Sequence, residues 1–458
     1  IGHKRFMKGF RIYVDRFDGC AATTEDFVQA IKEGACDKDI SLGFDISQFE
    51  KWYSVAGTPE VEILREWDSL IGRLTIKVSQ NTQPCFTASN TSPLVIPLLI
   101  AVITSSGRLG EEKLLILDQN KQEFFIDDLP LDSKVPILSL FRSFSAPVKW
   151  KSDVSIDESF QLLRFDDDTF SRWNAGQYLM REVLIARASR LPALELEENL
   201  IATFLDLLTT SGEKDPEFLS TLLKLPGLSE LELSQELVDP IGLYEAKLFL
   251  ESLFGEKLSV PFRKLLRSYR PACSLIWPNG VGARKITSIA WRMLAVGGDL
   301  EVRKELLEAV RGKSMTLARA ALLALSPVDC QEREIAMSDF YNLWKDRPVI
   351  LDSWFSLEAS IPREAGLKRV QELLEHPRFD WMAPNAIRAV LGGFVLNARL
   401  FHSIDGSGYL FMANQISELD KRNPITASRM TKIFSRWRSY LPIHREVMFK
   451  AIIKLSES

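Results

Sequence analysis

The four histidines are the side chains with the most direct potential for chemistry, because imidazole is a common zinc ligand and acid–base catalyst. They are His3, His376, His402 and His444, and no two of them lie within twenty residues of each other. A helical zinc site needs two histidines four residues apart with a glutamate between them, so that both rings face one metal. The sequence therefore excludes such a site, and we expect each histidine to lie on the surface or pack in a core.

Three glycine-containing strings resemble parts of known functional motifs. GKS at 312–314 matches the end of a phosphate-binding loop, but Leu307 occupies the position of the first glycine and the preceding residues follow a helical pattern. GVG at 280–282 lacks the rest of a dinucleotide fingerprint, and GSG at 406–408 is too short for a nucleophile elbow. We interpret GKS as the turn that ends a helix, and GVG as a turn.

Carboxylates are plentiful, and three follow one another at Asp166, Asp167 and Asp168. A run of like charge without an evident partner predicts a solvated face or the start of a helix. The residue types and spacings considered so far therefore contain no catalytic constellation.

The chain has five cysteines, an odd number, and no two of them form a CxxC pair. This usage predicts free thiols in a reducing compartment, and hence a cytoplasmic location. The cysteines are Cys20, Cys36, Cys85, Cys273 and Cys330.

The composition is that of a globular protein with two to four domains: 458 residues, 46% hydrophobic and 26% charged. The net charge of −4 gives no reason to expect a nucleic-acid partner. The longest apolar run, residues 93–104, is too short to cross a membrane and is broken by Pro97. The first residue is Ile1 and no signal peptide follows, so we expect the chain to begin inside a larger protein.

Residues 1–56 show the periodicity of helices. TTED at 23–26 predicts a capped helix start, since a threonine oxygen can accept an orphan backbone N–H. Asp45 predicts the cap of another helix, and Gly57 and Pro59 are residues that stop one.

Residues 57–148 change to the two-residue period of strands. Leu74, Ile76 and Val78 alternate with polar neighbours. The apolar run predicts a buried pair of strands, and turn residues separate the remaining candidates. The further strand candidates span 94–103, 114–117, 123–126 and 137–144. This rhythm predicts a small β-sandwich.

Residues 149–458 return to the helical period and keep it. Val302, Leu306 and Val310 form one apolar stripe, and Ala320 and Ala324 belong to the next, after a break at Gly312. About three hundred residues of short helices with tight breaks predict an α-solenoid of stacked helix pairs. The predicted fold class is mainly α with a small all-β domain, namely a β-sandwich followed by the α-solenoid.

A series of unusual strings resembles the bacterial-type aminopeptidase N family, and the strings occur in the order of that family. The resemblance spans nearly the whole chain and is weakest at residues 186–235 and 255–290. The matching strings are DGCAAT at 18–23, DFVQA at 26–30, WYSVAGTP at 52–59, SAPV at 145–148, FSRWNA at 170–175, DSWF at 352–355, DGSGYLF at 405–411 and RNP at 422–424.

The resemblance implies a four-domain zinc exopeptidase that removes N-terminal residues from peptides. Residues 1–56 would be the last helices of its thermolysin-like catalytic domain, residues 57–148 its β-sandwich spacer, and residues 149–458 its C-terminal helical domain. The zinc helix and the catalytic residues would lie upstream, so no zinc would bind within this chain and the chain alone would be inactive. Its partners would be the upstream catalytic domain of the same protein and peptide substrates.

The resemblance also implies a substrate channel lined by arginines of the helical domain. The matching positions are Arg388 in NAIR at 385–388 and Arg429 in ASR at 427–429. A guanidinium can bind a peptide carbonyl or carboxylate through two parallel donors. The alternative for each is a structural arginine that pairs with a nearby acid. Ala386 replaces an arginine that can occur in the family, which predicts a less positive channel.

Two other functions stay open at this point. A stack of helix pairs also suits an autonomous α-solenoid scaffold that binds other proteins. A self-contained enzyme of another class would need distant side chains to converge in one pocket, and no spacing in the sequence indicates this.

Overall fold

The structure is a computed structural model, and it divides into two compact units, residues 1–176 and residues 177–458. Cys36 and Cys85 lie outside the described residues. The described residues are 1–35, 43–81, 93–131, 134–209 and 215–457.

The described part of residues 1–56 is helical, as predicted, and contains α1 (His3–Phe17), α2 (Thr24–Ala35) and α3 (Ile46–Phe49). Thr23 caps α2: the Asp26 amide donates to the Thr23 hydroxyl at 3.3 Å, and the Thr23 amide donates to the Asp26 carboxylate at 2.9 Å. Asp45 caps α3 by accepting from the Ser47 amide at 2.8 Å. Both predicted caps are thus confirmed.

The first unit continues as two β-sheets. One sheet has the strand order β5-β2-β1-β7 and the other β4-β3-β6; β1 and β7 are parallel, and the other neighbours are antiparallel. The strands are β1 (Glu60–Asp68), β2 (Arg73–Asn81), β3 (Ile96–Thr104), β4 (Gly107–Leu117), β5 (Lys121–Ile126), β6 (Ile137–Ser139) and β7 (Lys149–Ser152).

The two sheets share one hydrophobic core. Ile63 and Ile76 enter it from the first sheet, and Leu98, Ile100 and Leu138 enter it from the second. Each of these side chains is at most 1% exposed. Inward-facing residues from two sheets packed on each other are the defining feature of a β-sandwich, so that prediction is confirmed.

The sequence pattern was wrong about the extent of three strands and did not reveal β1 or β7. The strand predicted for 114–117 is only the end of β4, which begins at Gly107. Residues 93–104 were predicted as a strand pair, but they contain the single strand β3. This strand is central in its sheet, so it is apolar along most of its length, and the apolar run did not reveal how many strands it holds. The strand predicted for 137–144 ends at Ser139, because Phe141 and Ser143 have φ of 51° and 53°, outside the β region.

Helices make up the rest of the chain. Among the described residues, no helix combines the length and the apolar character that crossing a membrane requires. The helices are α4 (Ile156–Phe165), α5 (Thr169–Ala188), α6 (Leu194–Thr209), α7 (Pro216–Leu223), α8 (Leu228–Leu233), α9 (Pro240–Lys257), α10 (Ser259–Tyr269), α11 (Val281–Val296), α12 (Leu300–Arg311), α13 (Met315–Leu325), α14 (Gln331–Trp344), α15 (Pro348–Ser360), α16 (Leu367–Leu374), α17 (Pro384–Leu396), α18 (Ala398–Phe401), α19 (Ser407–Asp420), α20 (Pro424–Met430) and α21 (Pro442–Ser456).

The helices of the second unit stack in order along the chain. Helices α7 and α9 pack on α11, α11 and α12 pack on α13, and α15 packs on both α14 and α17. Val302, Leu306 and Val310 of α12 are buried, as the predicted stripe requires, and so are Ala320 and Ala324 of α13. The α-solenoid is confirmed, and with it the fold class.

The last helices of the second unit contact α9 and the segment between α8 and α9. The Val238 amide donates to the Ser439 carbonyl at 2.8 Å, and the Leu441 amide donates to the Val238 carbonyl at 2.9 Å. Arg399 of α18 forms an ion pair with Glu245 of α9 at 2.6 Å. These contacts join segments distant in sequence, and they hold the last helices of the unit against earlier ones.

Candidate functional site

Arg388 lies in the second turn of α17, which begins at Pro384 because proline pre-sets the backbone angle of a first helical residue. Its side chain is exposed. The guanidinium donates to the Pro384 carbonyl at 3.2 Å and to the side-chain oxygen of Asn385. Both partners are neutral, and no carboxylate among the described residues forms an ion pair with this arginine.

Arg429 lies in the last turn of α20, whose start is capped by the Asn423 side chain accepting from the Thr426 amide at 3.0 Å. Thr426, Ala427 and Met430 face inward and are buried, and the Arg429 side chain is exposed. The Arg429 guanidinium makes no hydrogen bond or ion pair with any other described residue. Many arginines of this unit are paired instead, as Arg292 is with Glu251 at 2.8 Å.

A third exposed arginine, Arg422, lies near the start of α20. Its guanidinium lies over the Trp381 ring, 4.9 Å from the ring centre, which is cation–π distance. Trp381 precedes α17 and packs edge-on against Phe379 at 5.1 Å. This contact brings the segment before α17 next to the segment before α20.

Arg388 and Arg429 lie on different helices, α17 and α20. Arg422 belongs to the RNP string at 422–424, but the sequence did not identify it as a candidate substrate-binding residue. No spacing could reveal it, because the stacking partner Trp381 is forty-one positions earlier (422 − 381). Each of the three arginines is an exposed cation suited to a carbonyl or carboxylate group of a peptide.

Two of the four histidines meet in the interior of the second unit. The ring centres of His402 and His444 are 6.2 Å apart, and Nδ1 of His402 is 2.8 Å from the Tyr409 hydroxyl. Burial disfavours the charged imidazolium, and it lowers the pKa of His402 to about 3 and the pKa of His444 below its usual value. Sequence spacing did not show this pairing, although packing in a core was one of the two expected roles.

The other two histidines lie elsewhere. His3 is exposed. His376 accepts from the Arg378 amide through Nδ1 at 3.1 Å, and its Nε2 is 3.2 Å from the Tyr341 hydroxyl. Desolvation, followed by the charges of Arg369 and Arg378, lowers the pKa of His376.

The donors present do not fit a zinc site. Within the described ranges, no three histidine, cysteine, aspartate or glutamate side chains converge as metal ligands would. Nδ1 of His402 is already engaged with the Tyr409 hydroxyl, and both rings are occupied by packing.

The acidic run at 166–168 differs in part from its prediction. Asp168 does start a helix, because its carboxylate accepts from the Ser171 amide at 2.8 Å in the first turn of α5. Asp166 is not solvated: it is 4% exposed and pairs with Arg142, which is 1% exposed. The spacing could not show this, because the partner lies at the end of the β-sandwich.

The glycine strings are structural. GKS at 312–314 is confirmed as the end of a helix, with Gly312 following α12 and the Ser314 hydroxyl accepting from the Leu317 amide at 3.4 Å. The interpretation of GVG as a turn is wrong for Gly282, which lies inside α11. A Cβ there would lie 2.9 Å from Cγ of Pro216, so glycine permits close packing of α11 on α7.

Comparisons with known proteins agree with this architecture. A family model described as "Domain of unknown function (DUF3458_C) ARM repeats" matches residues 156–458. A second model, described as "Domain of unknown function (DUF3458) Ig-like fold", matches residues 57–153.

Three curated relatives are named Aminopeptidase N. The protein of Haemophilus influenzae is 30% identical over 474 aligned residues, which cover 100% of this chain and 52% of that protein. The Escherichia coli protein is 30% identical over 472 residues, covering 99% and 52%. The Caulobacter vibrioides protein is 32% identical over 453 residues, covering 96% and 50%.

A solved structure shows the same similarity in three dimensions. The crystal structure of Legionella pneumophila aminopeptidase A in complex with aspartic acid superposes with a TM-score of 0.84 at 28% identity, over 100% of this chain and 53% of that one. The chain thus spans about half the length of the relatives it matches. It belongs to the DUF3458_C ARM-repeat family, and it is homologous along its whole length to about half of aminopeptidase N.

Proposed function

We propose that this chain is the part of a zinc aminopeptidase that encloses the active site and shapes the channel for peptide substrates. The observation that carries the proposal is the similarity of the whole chain to half of aminopeptidase N. The zinc and the residues that act on the scissile bond belong, in this proposal, to a catalytic domain of the same protein outside this chain. A cytoplasmic location stays a prediction from cysteine usage.

The surface of α1 supports the presence of such a neighbouring domain. Gly9 and Gly34 let α1 and α2 approach closely, since a Cβ on Gly34 would lie 2.2 Å from the Gly9 amide nitrogen. Phe6, Phe10 and Val14 recur every four residues along α1 and remain 38%, 39% and 42% exposed. An exposed apolar stripe of this kind marks a surface for further protein, which agrees with residues 1–56 as the last helices of a larger domain.

The arginines of the second unit support the channel role. In the proposal, Arg388 and Arg429 bind carbonyl or carboxylate groups of the peptide beyond its first residue, and Arg422, stacked on Trp381, adds a further exposed cation. Enclosure by the helical domain would orient the peptide and exclude folded substrates. Backbone hydrogen bonds anchor Ser439 and Leu441, which follow α20 in the chain, to Val238 between α8 and α9, and they support the end of the unit that carries Arg429.

The test compares this chain with the full-length protein. We expect the full-length protein to hydrolyse an aminoacyl p-nitroanilide and to lose that activity with a zinc chelator. This chain alone should bind no stoichiometric zinc and cleave no reporter. Chelator-sensitive hydrolysis by this chain, or no hydrolysis of any aminoacyl reporter by the full-length protein, would refute the proposal.

A further inference from the structure

A small pocket of about 310 Å³ lies on the second unit among α13, α15 and the C-terminal end of α17. Its volume is at the lower end of the roughly 300–1,000 Å³ typical of small-molecule sites. Arg319 of α13 and Asp352 of α15 both line it. The pocket is separate from the arginines assigned to the channel.

The two charged side chains of this pocket are not paired. Neither Arg319 nor Asp352 forms an ion pair with the other or with any residue in the described ranges. Burial alone raises the pKa of Asp352, and no cation offsets it. Glu358, a more deeply buried acid of the same helix, is paired with Arg363 at 3.2 Å. A carboxylate and a guanidinium that line one pocket without pairing create potentials of opposite sign within it.

Two hydroxyls in the same pocket also lack partners. Ser353 and Ser356 lie one turn apart on α15 and line the pocket, and neither side chain hydrogen-bonds to a described residue. A serine inside a helix commonly donates to the carbonyl a turn earlier, as Ser360 does to Leu357 at 2.8 Å and Ser417 to Ala413 at 3.1 Å. The free hydroxyls add donors and acceptors to the lining.

The rest of the lining is Leu323, Leu357, Leu396 and Ser360, whose hydroxyl already donates to the Leu357 carbonyl at 2.8 Å. Leu323 and Leu396 border the pocket and are 49% and 67% exposed. A ligand that covers them would remove apolar surface from water, which favours binding. The pocket thus offers one cation, one anion, two hydroxyls that bond to no described residue, and an aliphatic wall.

We propose that this pocket binds a free α-amino acid with an aliphatic side chain. Asp352 accepts from the α-ammonium group, Arg319 donates to the α-carboxylate, and the side chain packs against Leu323 and Leu396. A ligand with one charge leaves the other pocket charge unsatisfied, so the pair selects a zwitterion. This site contains none of the arginines assigned to the channel, so binding there does not depend on the proposed function.

The experiment is a titration of this 458-residue chain with L-leucine, followed by calorimetry and by NMR. We expect saturable 1:1 binding. Asp352→Asn and Arg319→Gln should each weaken it about tenfold or more, because each removes a charged hydrogen-bond partner. Asp420→Asn and Arg347→Gln make the same chemical changes at exposed positions outside the pocket, and they should leave the affinity unchanged. Thermal unfolding checks that all four variants are folded.

Two derivatives test the zwitterion directly. N-acetyl-leucine lacks the ammonium group and leucinamide lacks the carboxylate, and both should bind at least about tenfold more weakly than leucine. Absence of saturable leucine binding, equal binding of either derivative, or unchanged affinity in both pocket variants would overturn the inference. Tighter binding of leucyl-leucine than of leucine would overturn the assignment to free amino acids and indicate peptide ends instead.

Discussion

Arg142 and Asp166 form an ion pair whose two side chains are 2% and 0% exposed. Asp167 and Glu112 also bind the Arg142 guanidinium from the half-exposed side of the cluster. Burial raises the pKa of Asp166, and the neighbouring carboxylates raise the pKa of Arg142 further above its usual value. The cluster fixes the turn after β6 to the segment between α4 and α5.

Replacing Arg142 by alanine should strongly destabilise the first unit, residues 1–176. The substitution leaves the buried Asp166 carboxylate without its cation, a change that costs about 3–5 kcal/mol in buried pairs. The measurement is urea unfolding of the chain, with Arg73→Ala as the matched control. Arg73 and Asp127 are 47% and 49% exposed, so that control should lose only about 0–1 kcal/mol. Equal losses in the two variants would show that the buried cluster contributes no special stability.

Two adjacent glycines of α17 should respond oppositely to alanine. A Cβ on Gly393 would lie 2.5 Å from the Ser356 carbonyl oxygen, so Gly393→Ala should cost about 1–3 kcal/mol by forcing α17 away from α15. A Cβ on Gly392 meets no atom within 4 Å, so Gly392→Ala should stabilise the helix by about 0.5–1 kcal/mol. Thermal unfolding of both variants checks this, and a stabilising Gly393→Ala would contradict the packing.

The buried His402 should make the second unit sensitive to acid. Its pKa in the folded chain, about 3, lies below the value of about 6.5 expected when unfolded. The unfolded chain therefore takes up the proton first, so stability is fully present above pH 6.5 and decreases as the pH falls toward 3. Between pH 7 and pH 5 we expect a loss on the order of 1–2 kcal/mol.

The measurement is the free energy of unfolding at pH 7, 6 and 5. His402→Phe removes the titrating group from its aromatic surroundings and should flatten this pH dependence, although it also removes the partner of the Tyr409 hydroxyl. His3→Gln changes an exposed histidine and should leave the dependence as it is. If His402→Phe keeps the full pH dependence, another group is responsible.

The channel proposal predicts a dependence on peptide length in the full-length protein. Arg429→Ala should lower kcat/KM for a tetrapeptide about tenfold and leave a single-residue amide reporter unchanged, because only the longer substrate reaches the helical domain. Arg388→Ala should likewise lower kcat/KM for the tetrapeptide and leave the single-residue reporter unchanged. Arg438→Ala, at an exposed arginine that stacks on Trp437, serves as the control. Equal losses on both substrates would indicate a structural role for Arg429.

Local patterns in the sequence were sufficient for much of the fold. The period of Leu74, Ile76 and Val78 identified a strand, and the stripe through Val302 and Leu306 identified a helix, because burial on one face repeats with the backbone geometry. The caps at Thr23 and Asp45 were readable for the same reason, since their hydrogen bonds reach only two or three residues along the chain.

What only the tertiary structure decided involves residues distant in sequence. The burial of Asp166 depends on Arg142, the stacking of Arg422 depends on Trp381, and the pocket depends on Arg319 and Asp352 lying on different helices. The type and local spacing of a residue determine its backbone preference and the face of the helix or strand on which it lies. They carry no information about which residue distant in sequence contacts it. The sequence by itself therefore determined the helices, most strands and the absence of a helical zinc motif, whereas packing between elements decided which charges are neutralised and which remain available to a ligand.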